Sequence, residues 1–410
     1  MKNLAILICL ILCSCGKEDR VGEPYRGWQE GEMDIHHIYT GNGEANFFIL
    51  PDATTMLIDA GDYDPDFKDF PYMNKPMPNK SRRPGEWIAR YIQRVNPNKQ
   101  QVDYLMLSHF HDDHMGSIDS NGKMTTGRNP DYKLVGLAEV GEWITFGTSF
   151  DRGYPNYNYP TQIKDAHTDN YLAFLKHHAE HRGLKQEEFK VGKLNQIALK
   201  HKPAKYSKDF SIRNLAANGE IWNGKDEETT RYYDLNPENI EGRQNENTKS
   251  IAIRIDYGPF SYYTGGDLTG SVKDENGNRI NLEAQTGIAC GEVDVCKTNH
   301  HSYKDSMHEG FLEAVKAKHY IGCTWDLQHT QPDIFKRMLS KSDCLIFHQY
   351  LWPEQMAKHE GEEWTQKVIE QGHIVVKAYD HGKKYKVYVL SAEDEQMIVK
   401  AIYGPYESAL

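Results

Sequence analysis

Cysteine is scarce in this chain: seven residues of 410, with no CxxC pair among them. A redox or zinc motif of that kind is therefore absent. Cys9, Cys13 and Cys15 crowd the start, which leaves Cys290, Cys296, Cys323 and Cys344 for the body. An oxidising compartment would permit a disulfide between Cys290 and Cys296; buried free thiols on apolar strands are the alternative. Long blocks of one charge are also missing, and the formal net charge is -11. Bulk electrostatics then repel nucleic acid, so any phosphate-bearing ligand must be held by local groups. A mean hydropathy of -0.72 with 39% hydrophobic residues excludes a bundle of membrane helices, and no repeat of solenoid period is visible. What remains is a chain long enough for one large core or two smaller ones.

The first residues, MKNLAILICLILCSCGKEDR, hold one early positive charge at Lys2 and an apolar run over 4–13, followed by LCSC ending at Cys15. The run is too short to span a bilayer as a helix. It resembles a bacterial lipoprotein signal, in which the last cysteine is cleaved and lipidated. On this reading residues 1–14 are removed, Cys15 anchors the chain to a membrane and 15–30 form a tether. GKEDR resembles an acidic export tag for the outer face of the outer membrane, which makes the chain an exported lipoprotein on the periplasmic or cell-surface side. An ordinary signal peptide with an incidental cysteine is the plainer alternative.

Residues 33–60 read as three short strands rich in Ile, Phe and Leu, separated by turns at 41–43 and 51–54. Trp87, Ile88, Tyr91, Ile92 and Val95 then recur at helical spacing, and VDYLMLS is a buried strand. Residues 118–205 are less regular and read as an insertion, with one amphipathic helix, DNYLAFLKHHAEHR, and a tyrosine-rich stretch at 154–160. Strands resume at 210–216, twice within 250–267, at 293–302 and at 319–325, with a helix at 308–317. The order strand, strand, helix, strand thus appears twice. A hairpin turning at DHGKK and one further strand close the chain. Together these give one domain over 31–345, with the insertion at 118–205, and a β-rich extension over 346–410 packed on it.

The stretch SHFHDDHMG, residues 108–116, sets three histidines and two aspartates within 109–114, directly after a strand. Loops leaving the carboxyl ends of strands are where layered α/β folds place chemistry. His109 and His111, two apart, can point to one side of an extended strand end, and the following turn aims Asp113 and His114 at a second position close by. Imidazole and carboxylate without thiolate suit zinc, and manganese or iron are also allowed. A solvated polar loop is the bland alternative.

HxHxDH resembles the signature of metallo-β-lactamase fold hydrolases, and further matches follow in order. LIDAGD (57–62) is similar to the early strand ending in a carboxylate that orients the metal loop, here Asp59. TGGD (264–267) is similar to the strand ending in a bridging aspartate, here Asp267. CKTNHHS (296–302) is similar to the late strand ending in a histidine ligand, taken as His300 because it comes first after the strand. Across 33–340, excluding the insertion, the chain resembles the metallo-β-lactamase domain of DNA-internalisation competence proteins and the phosphorylcholine esterases. In that branch an Asn-x-x-Ser element, here Asn247 and Ser250, lines the site.

The resemblance implies an α/β fold, a four-layer αββα sandwich with an inserted segment and a C-terminal β extension. It implies two divalent ions, one held by His109, His111 and Asp267, the other by Asp113, His114, Asp267 and His300. A bridging water between them would ionise near neutral pH and attack a phosphodiester, with Asp113 among the catalytic groups and His301 or His329 protonating the leaving group or holding substrate. A further histidine, found in many members between the first cluster and the bridging aspartate, has no counterpart at a strand end between 115 and 247.

Each residue also has a plainer role. Asp59 and Asp267 could be turn carboxylates, and His301 a surface or supporting residue. His177, His178 and His181 include an i, i+4 pair but read first as a solvated helix face; Tyr154, Tyr157 and Tyr159 could stack on a ligand or pin their own loop. The expected partner is a small-molecule or phosphodiester substrate, with nucleic acid only as substrate. The rivals are a lactone, lactam or thioester hydrolase of the same fold, and a lipid-anchored metal-binding protein without catalysis.

Overall fold

In 33–60 successive side chains belong to different cores. Met56 and Ile58 pack into one buried cluster and Leu57 into another; Phe48 and Phe47 divide the same way. This is the period of two expected of strands buried on both faces. In a computed structural model, which describes residues 18–63, 73–118, 131–369 and 371–409, these strands are Met33–His37, Ala45–Ile49 and Thr55–Ala60. They lie inside a nine-stranded mixed sheet whose order is Val399–Glu407, Lys384–Leu390, His373–Tyr379, Met33–His37, Ala45–Ile49, Thr55–Ala60, Gln101–Met106, Thr145–Phe150 and Lys185–Gln186.

A second nine-stranded mixed sheet runs Val368–Ile369, Leu345–His348, His319–Gly322, Val295–Lys297, Phe260–Thr264, Ala252–Tyr257, Phe210–Ala217, Glu220–Trp222 and Thr229–Arg231. It alternates likewise: Tyr262, Val295, Ile321 and Phe347 join the cluster that holds Met56 and Ile58, while Tyr263, Cys296, Tyr320 and Ile346 face the other way. The two sheets therefore pack face to face on a shared core. Helices Pro84–Val95, Gly136–Trp143 and Ala166–His181 cover the outer face of the first sheet through Ile88, Ile92, Leu137, Val140 and Phe174. Helices Leu282–Cys290, Glu309–Val315 and Pro332–Lys341 cover the second through Leu282, Phe311, Leu312, Ile334 and Phe335.

Within each sheet a run of parallel strands points its carboxyl ends the same way. In the first these are Thr55–Ala60, Gln101–Met106 and Thr145–Phe150; in the second, Phe260–Thr264, Val295–Lys297 and His319–Gly322. The Ile251 N–H donates to the Ser108 carbonyl across 2.9 Å and ties the sheets together at this edge.

Three segments differ from expectation. Part of the stretch read as an insertion belongs to the sheet, because Gly136–Trp143 and Thr145–Phe150 continue the parallel order; TFGTSF is too polar to announce a buried strand. The helix there starts at Ala166, earlier than the apolar pattern suggests, because Asp165 caps it by accepting the Thr168 N–H at 2.7 Å. The C-terminal extension divides between both sheets, and residues 22–25 of the tether bond to 397–399. Cys290, Cys296, Cys323 and Cys344 are free and buried. The lipoprotein signal and Cys15 lie outside the described residues, and among those described no helix is long and apolar enough to cross a membrane.

Candidate metal centre

The loop after Gln101–Met106 is positioned by Asp59 at the tip of the neighbouring strand. Its carboxylate accepts the Ser108 N–H and Oγ–H, both at 2.7 Å, and His114 Nδ1–H at 2.7 Å. That last bond turns His114 Nε2 inward. Asp59 does this from φ +63°, a left-handed conformation uncommon for a non-glycine residue and of a kind that gathers at functional sites. The Asp113 carbonyl receives the Glu44 N–H at 2.8 Å, and a Cβ on Gly61 would stand 1.7 Å from that oxygen. Only glycine lets the loop approach so closely.

From the other sheet, Gly265 and Gly266 lead to Asp267, whose N–H donates to Ser250 Oγ at 3.3 Å. Lys297 Nζ bonds the Gly266 carbonyl at 2.8 Å and pairs with Glu44 Oε2 at 2.8 Å, both side chains being fully buried. Breaking such a buried pair costs ~3–5 kcal/mol, because one charge is left uncompensated. The strand Val295–Lys297 then leaves extended geometry: His300, His301 and Ser302 have φ of +43°, +52° and +66°.

This turn reverses the expectation for the last histidine. His301, 1% exposed, enters the cluster: Nδ1–H donates to the Cys323 carbonyl at 2.8 Å, and Nε2 meets Asp113 Oδ2 at 2.9 Å and Asp267 Oδ2 at 3.3 Å. His300, 20% exposed, bonds Asp305 through Nδ1 at 2.7 Å and Asn247 through Nε2 at 3.3 Å; its Nε2 stays 3.9 Å from Asp267. His300 therefore sits at the rim with Asn247. Counting positions after a strand fails where the backbone turns left-handed.

Glu44, His114, Asp267 and His301 are buried and close enough together to bind a metal ion, with one ligand atom from each lying within 4.8 Å of the others. His114 Nε2 lies 3.2 Å from Asp267 Oδ1 and 3.6 Å from Asp113 Oδ2. A second group joins His109, His111 and Asp267; His109 Nε2 is 3.0 Å from His111 Nδ1 and 3.8 Å from Asp267 Oδ2. No further histidine enters this group among the described residues, although His167 Nε2 comes within 3.9 Å of Asp112.

The donors fit a cation. Both Asp267 oxygens and His114 Nε2 are buried without a well-aligned hydrogen bond and meet only ion-pair contacts, His114 Nε2 at 3.2 Å from Asp267 Oδ1 and His301 Nε2 at 3.3 Å from Asp267 Oδ2. Unsatisfied buried polar atoms are costly, and a divalent ion accepting all their lone pairs would remove that cost. Charge in the cluster reads the same way. Burial works to lower His114, but Asp267, Asp113 and Asp59 outweigh it and hold the imidazole well above its ordinary range. His301 is likewise lifted against burial to about 10 by Asp267 and Asp113. Burial would raise Asp113 and Asp267, yet the neighbouring imidazoles hold both carboxyls below their usual range. Protons thus stand where a cation's charge would go, and a metal ion bound here would displace them.

Around the cluster stand His329, which the sequence offered, and Trp325, Glu44 and Lys297, which it did not single out. Trp325 Nε1–H donates to Asp113 Oδ2 at 3.0 Å. His329 stacks on His301 with ring centroids 4.7 Å apart and accepts the Trp325 and Asp326 N–H groups at Nδ1, each at 3.3 Å. Burial, then His301 and His300, push His329 well below its ordinary range, so it stays neutral with its proton on Nε2. Glu44 lies on the Nδ1 side of His301, 3.4 Å away. A strand following glycines could have suggested Glu44; nothing local pointed to Lys297 or Trp325. Tyr157 packs on Phe110 of the histidine loop and donates its hydroxyl to Asp151 at 3.0 Å, while Tyr154 and Tyr159 line a cleft shared with Phe189 and Asn218. The chain matches no family model and no curated protein.

Proposed function

We propose that the chain is a metal-dependent hydrolase of the metallo-β-lactamase fold acting on phosphodiesters. The observation that carries this reading is the convergence of buried imidazoles and carboxylates where the two sheets meet, with His114 and His301 each within 3.3 Å of Asp267 and one ligand atom from each of Glu44, His114, Asp267 and His301 within 4.8 Å of the others. Support for the fold comes from face-to-face mixed sheets with helices outside and donors at the carboxyl ends of their parallel strands. Asp113, His114, Asp267 and His301 would hold one divalent ion, with zinc the best match to the donors, and His109, His111 and Asp267 a second.

Such ions supply Lewis acidity, which makes water a nucleophile near neutral pH and offsets charge on a phosphoryl oxygen. The chain's own residues do the rest. Asp59 and the Cys323 carbonyl fix the two inner imidazoles so that each Nε2 faces inward. Lys297 and Glu44 hold the Gly266 turn, and with it Asp267. His329, neutral and stacked on His301, offers an Nε2–H to an oxygen of substrate or leaving group; His301, once assigned to the metal, gives up that role. His300 and Asn247 form a polar rim. With a net charge of -11 the protein has little long-range attraction for an anion, so affinity must arise at this site. Export and anchoring through Cys15 would place the reaction outside the cytoplasm.

The test compares zinc-loaded wild type with Asp113→Ala on bis-p-nitrophenyl phosphate, a lactone and a β-lactam. We expect turnover of the phosphodiester, and joint loss of bound zinc and turnover in the variant. Turnover of only the lactone or lactam would refute the substrate class, and none despite bound zinc would leave a binding protein.

A further inference from the structure

The helix Ala166–His181 carries histidines at 177, 178 and 181, and helical spacing separates them. His178 turns into the core, its ring 4.4 Å from Phe174 and its Nε2 3.2 Å from the Tyr132 hydroxyl. His177 and His181, four residues apart, share another face with ring centroids 4.6 Å apart. Asp131 approaches the same face from a different segment and sets Oδ2 2.7 Å from His177 Nδ1. One ligand atom from each of Asp131, His177 and His181 lies within 4.8 Å of the other two.

We propose that Asp131, His177 and His181 form an outer divalent-cation site, separate from the buried cluster and independent of its function. Two imidazoles and a carboxylate suit zinc, nickel or copper, whereas calcium and magnesium favour sites made of oxygen. Pre-assembly distinguishes this group from a chance surface pair. Asn170, on the same helix, accepts the Lys133 N–H at 2.7 Å and donates to the Lys133 carbonyl at 3.0 Å, so the segment bearing Asp131 is already pinned to the helix. The Tyr132 ring meets His177 edge-on at 5.5 Å and holds it in place. Little ordering is left for an ion to impose.

Access also favours binding. The His177 side chain is 10% exposed, while those of Asp131 and His181 are more than half exposed, so an ion could enter and keep water on its open positions. Bound there, it would clip the segment leading into Gly136–Trp143 to the far end of Ala166–His181. The near end of that helix already touches the metal loop, where the Ile118 N–H donates to His167 Nδ1 at 2.7 Å. At 1.5 Å rise per residue the two ends are roughly 15–21 Å apart, so the outer ion would brace the helix without reaching the cluster.

The test titrates the full chain with Zn2+ alone, for wild type, His181→Ala and Asp131→Asn, by calorimetry and thermal unfolding. Wild type should bind zinc beyond that retained by the buried cluster on dialysis, with a rise in unfolding midpoint. Each substitution should weaken the outer event by at least about tenfold and abolish that rise, while the retained zinc stays unchanged. His181 is exposed, so its replacement leaves the fold intact. Identical titrations of wild type and both variants, or no uptake by wild type beyond the retained zinc, would overturn the proposal without touching the inner site.

Discussion

At the scale of single residues, what the cluster can bind depends on which atom of each side chain is turned towards it. Asp59 uses its carboxylate to hold Ser108 and His114 together, so that His114 Nε2 is the atom left to bind. Asp59→Asn should keep the Ser108 contact through its amide oxygen but oppose His114 Nδ1–H with an amide N–H. We expect zinc affinity to fall about 10- to 100-fold with the fold retained, measured by competition with a chromogenic chelator; unchanged affinity would remove Asp59 from the account. Glu139 shows the opposite electrostatic case. Burial, reinforced by Asp62, raises its carboxyl to about 8, although Arg83 opposes the shift. The folded state then favours the neutral acid, so this contribution to stability is complete below about pH 4.5 and is lost as pH rises towards 8. Glu139→Gln, neutral throughout, should match wild type near pH 4 and be more stable at pH 8, by an amount on the order of a few kcal/mol. Denaturant midpoints at the two pH values check the sign; equal differences at both would contradict it.

At the scale of elements, close backbone approach sets the site. The loop bearing Asp113 lies against Gly61 and receives the Glu44 N–H, so Gly61→Ala must push the Asp113 carbonyl away. The expected result is a chain that folds but retains less zinc on dialysis than wild type; full zinc retention would show that the loop can shift without harm. This dependence also explains what could be read beforehand. The loop from His109 to His114 was legible because its donors sit within six residues after an apolar strand. Asp267, generic by itself as a turn carboxylate, was legible only from the place of TGGD in the ordered series of motifs that carries the resemblance. His301 was not, because three successive left-handed residues reverse the order of side chains. Glu44 and Lys297 are far apart in sequence and become partners only when the turn before Ala45–Ile49 meets the end of Val295–Lys297. Thr145–Phe150 was hidden by its polar composition, although it lies between two parallel neighbours.

At the scale of the whole molecule, two sheets with one shared core bring distant parts of the chain to a single edge. Asp59 and the histidine loop come from the first sheet; Asp267, His301 and Trp325 come from the second. Neither sheet supplies the cluster alone, so site and fold stand or fall together. The most direct test is a crystal of zinc-loaded protein measured at the zinc absorption edge. The account predicts an anomalous peak bounded by Asp113, His114, Asp267 and His301; zinc found only elsewhere, or a cluster that stays empty in excess zinc, would contradict it.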